Sequence, residues 1–310
     1  MASTYYHSGF VSIVGRPNVG KSTLLNQLVG ERLSAVSKKP QTTRGVIRGI
    51  LSAKGGQIVF LDTPGFHDPH DRLGQWMVGE IHKSIEGADL IYWMVFPRPP
   101  GKEDRMLAPG LGKSKIPVFL LINQVDQVKK PQVLPVIDAY SKLVSFQEII
   151  PISALKGDNL SVLVRKTLEV LPENPPYFAE DLLTDQNERT IVAEMIREKI
   201  FRFTGEEIPY SSAVQIEEFK EKVGAVPRDR PEGAHRGAPL VVIQATIIVE
   251  KDSQKAILIG RSGAKIKQIG QAARQEIEKF LGKKVFLELW VKTMKNWKKD
   301  PEALKQLGFQ

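Results

Sequence analysis

Gly15-Arg16-Pro17-Asn18-Val19-Gly20-Lys21-Ser22 follows an apolar, strand-like run at residues 10–14 and leads into a helical pattern at 22–29. A turn bracketed by two glycines, set between a strand and a helix N-terminus, points its backbone N–H groups inward at phosphate oxygens. Lys21 reaches the β- and γ-phosphates, Ser22 offers its hydroxyl to Mg²⁺, and Thr23 completes the set. The octapeptide alone names neither the base nor the reaction.

Outward from this loop, apolar strand-like runs at 57–61, 90–96, 117–122 and 149–152 alternate with helical patterns as far as Leu171. That alternation predicts an α/β domain, a mostly parallel sheet covered by helices on both faces. The segment Leu171-Pro172-Glu173-Asn174-Pro175-Pro176 stops the last helix. The expected organisation is a P-loop domain at 1–172, a linker at 173–186 and a second unit at 187–310. In that unit a helical stripe at 187–203 precedes strands at 213–219 and 240–249, helices at 252–259 and 264–281, and a strand at 284–291 before a short terminal helix.

The 310 residues suit roughly two domains, and 42% hydrophobic with 25% charged residues is ordinary for a globular chain. No cysteine is present, which excludes disulfides and thiolate metal sites. The first eight residues lack the basic start and apolar core of a signal peptide, and no apolar run approaches the ~20 residues that span a bilayer; a cytoplasmic monomer is expected. The net charge of +9 is local: residues 251–300 hold 13 Lys/Arg against 5 Asp/Glu, leaving about one net positive charge on the other 260. A basic C-terminal face favours nucleic acid or an anionic membrane surface.

Four further segments follow the phosphate loop in the order a GTPase requires. Asp62-Thr63-Pro64-Gly65 closes a strand, where Asp62 holds Mg²⁺ through water and the Gly65 N–H senses the γ-phosphate. Thr42-Thr43 supplies the switch threonine that closes over Mg²⁺, and Thr43, just before Arg44, is the favoured ligand. The metal set is then Ser22, Thr43 and Asp62, with Lys21, Thr43, Gly65 and Asn18 the groups nearest the chemistry. Asn123-Gln124-Val125-Asp126 follows another strand, and the Asp126 carboxylate accepts hydrogen bonds from guanine N1–H and the 2-amino group. Adenine offers neither donor, and an unsatisfied buried carboxylate penalises the wrong base. Ser153-Ala154 is expected to turn a backbone N–H toward guanine O6.

Three positions modify this scheme. Gln124 stands where the guanine motif usually has Lys; its stem still packs on the base, but an ammonium's contact with the phosphate loop is expected to be lost, weakening affinity while keeping GTP selectivity. Phe66 occupies the place where Ras-like enzymes carry the water-orienting glutamine, so unassisted turnover should fall below about 10⁻² s⁻¹. Asn18 has two readings, a K⁺ ligand near the developing negative charge as in related GTPases, or a residue that only shapes the turn; hydrolysis in K⁺ against Na⁺ separates them.

In the second unit, Gly260-Arg261-Ser262-Gly263 lies between two helical patterns and is followed by Lys265 and Lys267. Within an α-β-β-α-α-β order this Gly-x-x-Gly turn predicts an α+β type II KH domain. Such a module clamps a short single strand with helix N-terminal amides and cations on phosphates and an apolar groove beneath the bases. Ile257, Ile259, Ile266 and Ile269 read as groove wall and core. Trp290 and Trp297 read as packing in preference to base stacking, and the Arg/Gly/Pro-rich stretch 223–239 as a hairpin tip. A clamp on about four phosphates predicts a log–log salt slope near −3.

Pro40-Gln41-Thr42-Thr43-Arg44, Asp62-Thr63-Pro64-Gly65-Phe66-His67 and Leu287-Glu288-Leu289-Trp290-Val291-Lys292, together with the domain order, closely resemble the Era family of bacterial GTPases over essentially the whole chain. The resemblance implies a GTP-controlled factor in small (30S) ribosomal subunit assembly, using GTP/GDP and Mg²⁺, whose KH domain binds near the 3′ end of 16S ribosomal RNA. It also implies peripheral association with the inner face of the plasma membrane, which the basic C-terminal unit supports electrostatically. A P-loop kinase or ATPase is the rival enzyme, disfavoured by Asp126 and Ser153-Ala154. The other rivals are a nucleotide-dependent RNA-binding scaffold with little turnover and a mainly membrane-directed GTPase.

Overall fold

Parallel strands need long crossovers, and the helices that make them place every connection from a strand's C-terminal end on one edge of the sheet. In the computed structural model, which describes residues 6–37, 39, 42–205, 207–222 and 240–309, the chain divides into two units, 1–186 and 187–310. The first contains β1 (His7–Gly15), α1 (Lys21–Val29), β2 (Ile47–Ala53), β3 (Gly56–Asp62), α2 (Arg72–Glu86), β4 (Leu90–Val95), α3 (Lys102–Lys113), β5 (Val118–Ile122), α4 (Val133–Ser141), β6 (Glu148–Pro151) and α5 (Leu160–Val170). Its sheet runs β2-β3-β1-β4-β5-β6. All neighbours are parallel except β2 and β3.

The central strands read as continuous apolar runs because both faces are covered. Every residue of β4 and β5 is buried, the pattern of a parallel core strand. β2 is the one strand of this sheet that the sequence reading did not anticipate. It pairs antiparallel with β3 through a two-residue turn, Lys54-Gly55, with Gly55 at φ +87°; an apolar run followed by a Gly-containing pair was the available hairpin signal.

Residues 173–186, expected as a linker, lie along this sheet. Ser8 Oγ donates to the Pro175 carbonyl at 2.6 Å, Gln57 Oε1 accepts the N–H groups of Tyr177 and Phe178, and the Ile50 N–H donates to the Leu183 carbonyl at 2.8 Å. Prolines without N–H groups leave carbonyls that β-strand neighbours can satisfy, so a proline-rich exit strap costs few unpaired donors.

The second unit contains α6 (Glu188–Phe203), α7 (Ile208–Ser211), β7 (Ala213–Lys222), β8 (Leu240–Val249), α8 (Asp252–Ile259), α9 (Ala264–Leu281), β9 (Lys284–Thr293) and α10 (Pro301–Gln306). β7 and β8 are antiparallel, and β8 and β9 parallel, in a sheet ordered β7-β8-β9. Its core gathers Ile200, Ile208, Ile247, Val249, Leu258 and Ile269. This is the expected α+β KH arrangement after a P-loop domain. The stretch 223–239 lies outside the described residues, as do Pro40 and Gln41. Among the described residues no helix is long and apolar enough to cross a membrane.

Candidate active site and nucleic-acid interface

The phosphate loop joins β1 at the middle of the sheet to α1, and its two glycines adopt the positive φ it demands, 149° at Gly15 and 106° at Gly20. Lys21 is buried, and its Nζ donates to the Gly15 and Arg16 carbonyls at 3.2 and 3.1 Å. Burial pushes its pKa down to about 8, an effect that the nearby Asp62 partly opposes. The Arg16 side chain turns away to Glu103 and Asp104 of α3, at 3.2 and 3.5 Å. Arg16 thus offers the site its backbone, and its guanidinium anchors the loop to α3.

Three oxygen-bearing side chains from three segments converge beside Lys21. The Ser22 hydroxyl donates to Asp62 Oδ2 at 2.7 Å and lies 2.9 Å from Thr43 Oγ1. Thr42 points elsewhere, donating to the Lys39 carbonyl at 2.9 Å, so of the pair it is Thr43 that meets Ser22. A fourth group went unnoticed in the sequence: the buried Ser34 hydroxyl also donates to Asp62 Oδ2, at 2.7 Å. Asn26 fixes it there, taking the Leu33 and Ser34 N–H groups on Oδ1 and donating to the Ser34 carbonyl. No local sequence pattern marks Ser34, because its partner is 28 residues away.

The segment after Asp62 also closes on the loop. The Thr63 hydroxyl donates to the Ile13 carbonyl at 2.7 Å, and beyond Pro64 the backbone of Gly65 meets Pro17 so closely that a Cβ would sit 2.7 Å from Pro17 Cα. The Phe66 N–H donates to the Gly15 carbonyl at 2.9 Å. Its ring is buried in the core with Val14, Ile81 and Trp93. A cavity of about 70 Å³ remains between the loop, Thr43, Gly65 and residues 35–37.

Just beyond β5, the buried Asn123 ties two loops together. Its Nδ2 donates to the Val19 carbonyl at 2.7 Å and its Oδ1 accepts the Ala154 N–H at 2.9 Å. The Ala154 N–H, expected to face guanine O6, thus donates to this side chain, and the Ser153 N–H donates to the Asp158 carbonyl. Gln124, without an ammonium to offer, still touches the phosphate loop: held at φ +64°, its amide donates to the Asn18 carbonyl at 3.4 Å. That bond is long and neutral, where an ammonium would make a charged one. Asn18 sits at φ +62° and lines the cavity; Asp126 is exposed in a single 3₁₀ turn, Val125–Gln127.

In the second unit the Gly-x-x-Gly turn joins α8 to α9. Gly260 (φ +70°) packs against the backbone of Lys265, where a Cβ would come within 2.9 Å of its nitrogen, whereas Gly263 (φ +77°) faces open space. Ser262 also holds a left-handed φ of 49°. Arg261, Ser262 and Lys267 are exposed and Lys265 half-buried. Beside them a groove of about 290 Å³ runs between α9 and β9, lined by Ile266, Lys267, Gly270, Arg274, Leu287 and Leu289. Ile269 belongs to the core as expected, but Ile257 is exposed on α8. The two tryptophans part company: Trp297 is fully buried, its Nε1–H donating to the Ser211 carbonyl at 3.1 Å, while Trp290 is 63% exposed and is not packing.

Residues 10–124 match the family model described as 50S ribosome-binding GTPase, and residues 207–298 that of the KH domain. The GTPase Era of Ruminiclostridium cellulolyticum is 46% identical over 306 residues, 98% of each chain, and that of Geobacter metallireducens 48% over 310 residues, all of each chain. The chain belongs to the Era family of GTPases. Among solved structures it resembles Era in complex with MgGDPNP and nucleotides 1506–1542 of 16S ribosomal RNA, with a TM-score of 0.90 and 41% identity over 98% of this chain and 99% of that one. A single-residue variant of Aquifex aeolicus Era bound to GDP·AlF₄⁻ gives 0.89 and 42% over the same shares. As an Era-family member the chain is a GTPase, a P-loop domain followed by a KH domain.

Proposed function

We propose that this GTPase is a nucleotide-timed RNA-binding factor acting on the 3′ end of 16S ribosomal RNA during small-subunit maturation. The observation that carries the reading is the closure of two separate segments, at Thr43 and at Gly65, onto the phosphate loop of a chain that also bears a Gly-x-x-Gly turn. The solved relative holds a GTP analogue and that RNA together.

The donor set fits Mg²⁺. Two hydroxyls and a carboxylate, all hard oxygen ligands, meet within hydrogen-bond distance beside a phosphate loop, and a magnesium ion completes such a shell with waters and phosphate oxygens. Ser22 and Thr43 would hold it directly and Asp62 through water. Bound there, the ion neutralises charge on the transferred phosphoryl group. Lys21 supplies a cation to the β- and γ-phosphates, exchanging its two loop carbonyls for phosphate oxygens. The Gly65 N–H holds the γ-phosphate, which makes that segment sensitive to hydrolysis.

Asp126 selects guanine by accepting from N1–H and the 2-amino group. Guanine O6 must share the Ala154 N–H with Asn123 in a three-centre bond. With the Phe66 ring in the core, no side chain at that position orients the attacking water, so turnover is slow until a partner, RNA or K⁺ held beside Asn18 assists. Arg261, Lys265 and Lys267 meet RNA phosphates while bases enter the groove between α9 and β9. The test is a footprint on small-subunit RNA with GTP analogue and with GDP, alongside hydrolysis with and without that RNA. Protection near the 3′ end is expected; its absence in both nucleotide states overturns the ribosomal assignment.

A further inference from the structure

Between the β8–α8 junction and the stretch that follows β9 lies a cavity of about 510 Å³, lined by other residues than the groove beside α9 and used by nothing described above. Lys251, Lys295, Lys298 and Lys299 line it, against the two carboxylates Glu250 and Asp252. Both carboxylates are occupied. Glu250 holds Lys298 at 3.2 Å, and Asp252 accepts the Thr293 hydroxyl at 2.6 Å. Lys251, Lys295 and Lys299 are exposed, so the pocket keeps a surplus of two positive charges on flexible stems around a concave wall. That chemistry suits phosphodiester oxygens.

Its place in the fold says whose phosphates. α8 has its first turn at this cavity and its last turn at Gly260. Eight residues of helix span about 12 Å, so the two sites sit at opposite ends of one short helix, a few nucleotides apart for an extended strand. A Gly-x-x-Gly turn clamps only about four nucleotides, whereas the RNA in the solved relative runs from 1506 to 1542. We propose that the four-lysine cavity is a second phosphate-binding site, holding the RNA backbone beyond the nucleotides clamped at Gly260–Gly263. This rests on the RNA-binding reading above and extends it from one contact to two.

The test uses the full chain and two RNA probes, a single strand of about four nucleotides and an RNA spanning nucleotides 1506–1542 of 16S ribosomal RNA. Lys295→Glu with Lys299→Glu should weaken the long RNA by about tenfold or more and make its salt slope shallower by about 1.5, two lysines at about 0.7–0.9 each. Short-probe affinity and GTP hydrolysis should stay unchanged. Lys295→Gln with Lys299→Gln should give the same change in slope with a smaller loss of affinity. Unchanged long-RNA binding, or an equal loss on both probes, overturns the proposal. So does a pair of variants that release the protein only from phosphatidylserine vesicles, which would make the pocket a lipid-headgroup site. Gly263→Asp is the separate control: if it leaves both RNAs bound, the RNA-binding reading itself fails.

Discussion

Replacing Gly65 by alanine tests whether closure on the phosphate loop belongs to the triphosphate state. The added Cβ would stand 2.7 Å from Pro17 Cα and 2.8 Å from its nitrogen, about 0.7 Å short of ordinary van der Waals contact and against backbone that has no rotamer to yield. Overpacking a close contact of this kind costs about 1–3 kcal/mol. The cost falls only on the form in which Gly65 lies on Pro17. GDP lacks the phosphate that would draw the Gly65 N–H inward, so the diphosphate form can relax outward and escape it. The variant should therefore bind GDP as the parent does and a non-hydrolysable GTP analogue about 5- to 150-fold more weakly, a coupling of about 1–3 kcal/mol between nucleotide and switch. Displacement of a fluorescent nucleotide measures both constants. An unchanged ratio of the two would refute the reasoning, since closure would then be independent of the γ-phosphate.

Three other outcomes follow from the same geometry. Free Lys21, with its pKa at about 8 against 10.5 ordinarily, penalises folding by about 3 kcal/mol below pH 8 and less as pH rises toward 10.5, because over that window the unfolded chain holds the proton more tightly. Bound phosphates restore the ammonium, so calorimetry in buffers of different ionisation enthalpy should find about half a proton taken up per GDP near pH 8, and no uptake would show a lysine already charged. Ser34→Ala removes one of the two hydroxyl donors on Asp62 Oδ2; a loss of about 1–2 kcal/mol, or about 5- to 30-fold in Mg²⁺-dependent nucleotide affinity, is expected, with little change when Mg²⁺ is chelated. Gly263→Asp places its Cβ where no atom outside its chain neighbours lies within 4 Å, at a left-handed φ that aspartate visits more readily than most residues, so the domain should fold, GTP binding should persist and RNA binding should vanish.

Much of this site was legible because its demands fall on local backbone. A strand, a turn needing positive φ and a helix N-terminus are written in residue types within one stretch, and so is the Gly-x-x-Gly turn at Gly260. Two contacts were not legible there, the Gln124 amide on the Asn18 carbonyl and the Ala154 N–H on Asn123, because each joins residues far apart in the sequence. Trp290 was not legible either: a tryptophan in a strand is usually packed, but on β9, an edge strand of a three-stranded sheet, it is left mostly exposed.

The sequence by itself determined the phosphate loop, the guanine motif, the KH order and membership of a GTPase class, since each needs particular residues at short spacing. Only the tertiary structure decided where side chains point and which distant segments meet. It put the Phe66 ring into the core, brought the Thr43 hydroxyl to Ser22, set Ser34 on Asp62 and laid residues 173–186 along the sheet. It also brought Lys251 together with Lys295, Lys298 and Lys299. These are outcomes of packing two sides of a chain against each other, and no local pattern encodes the partner.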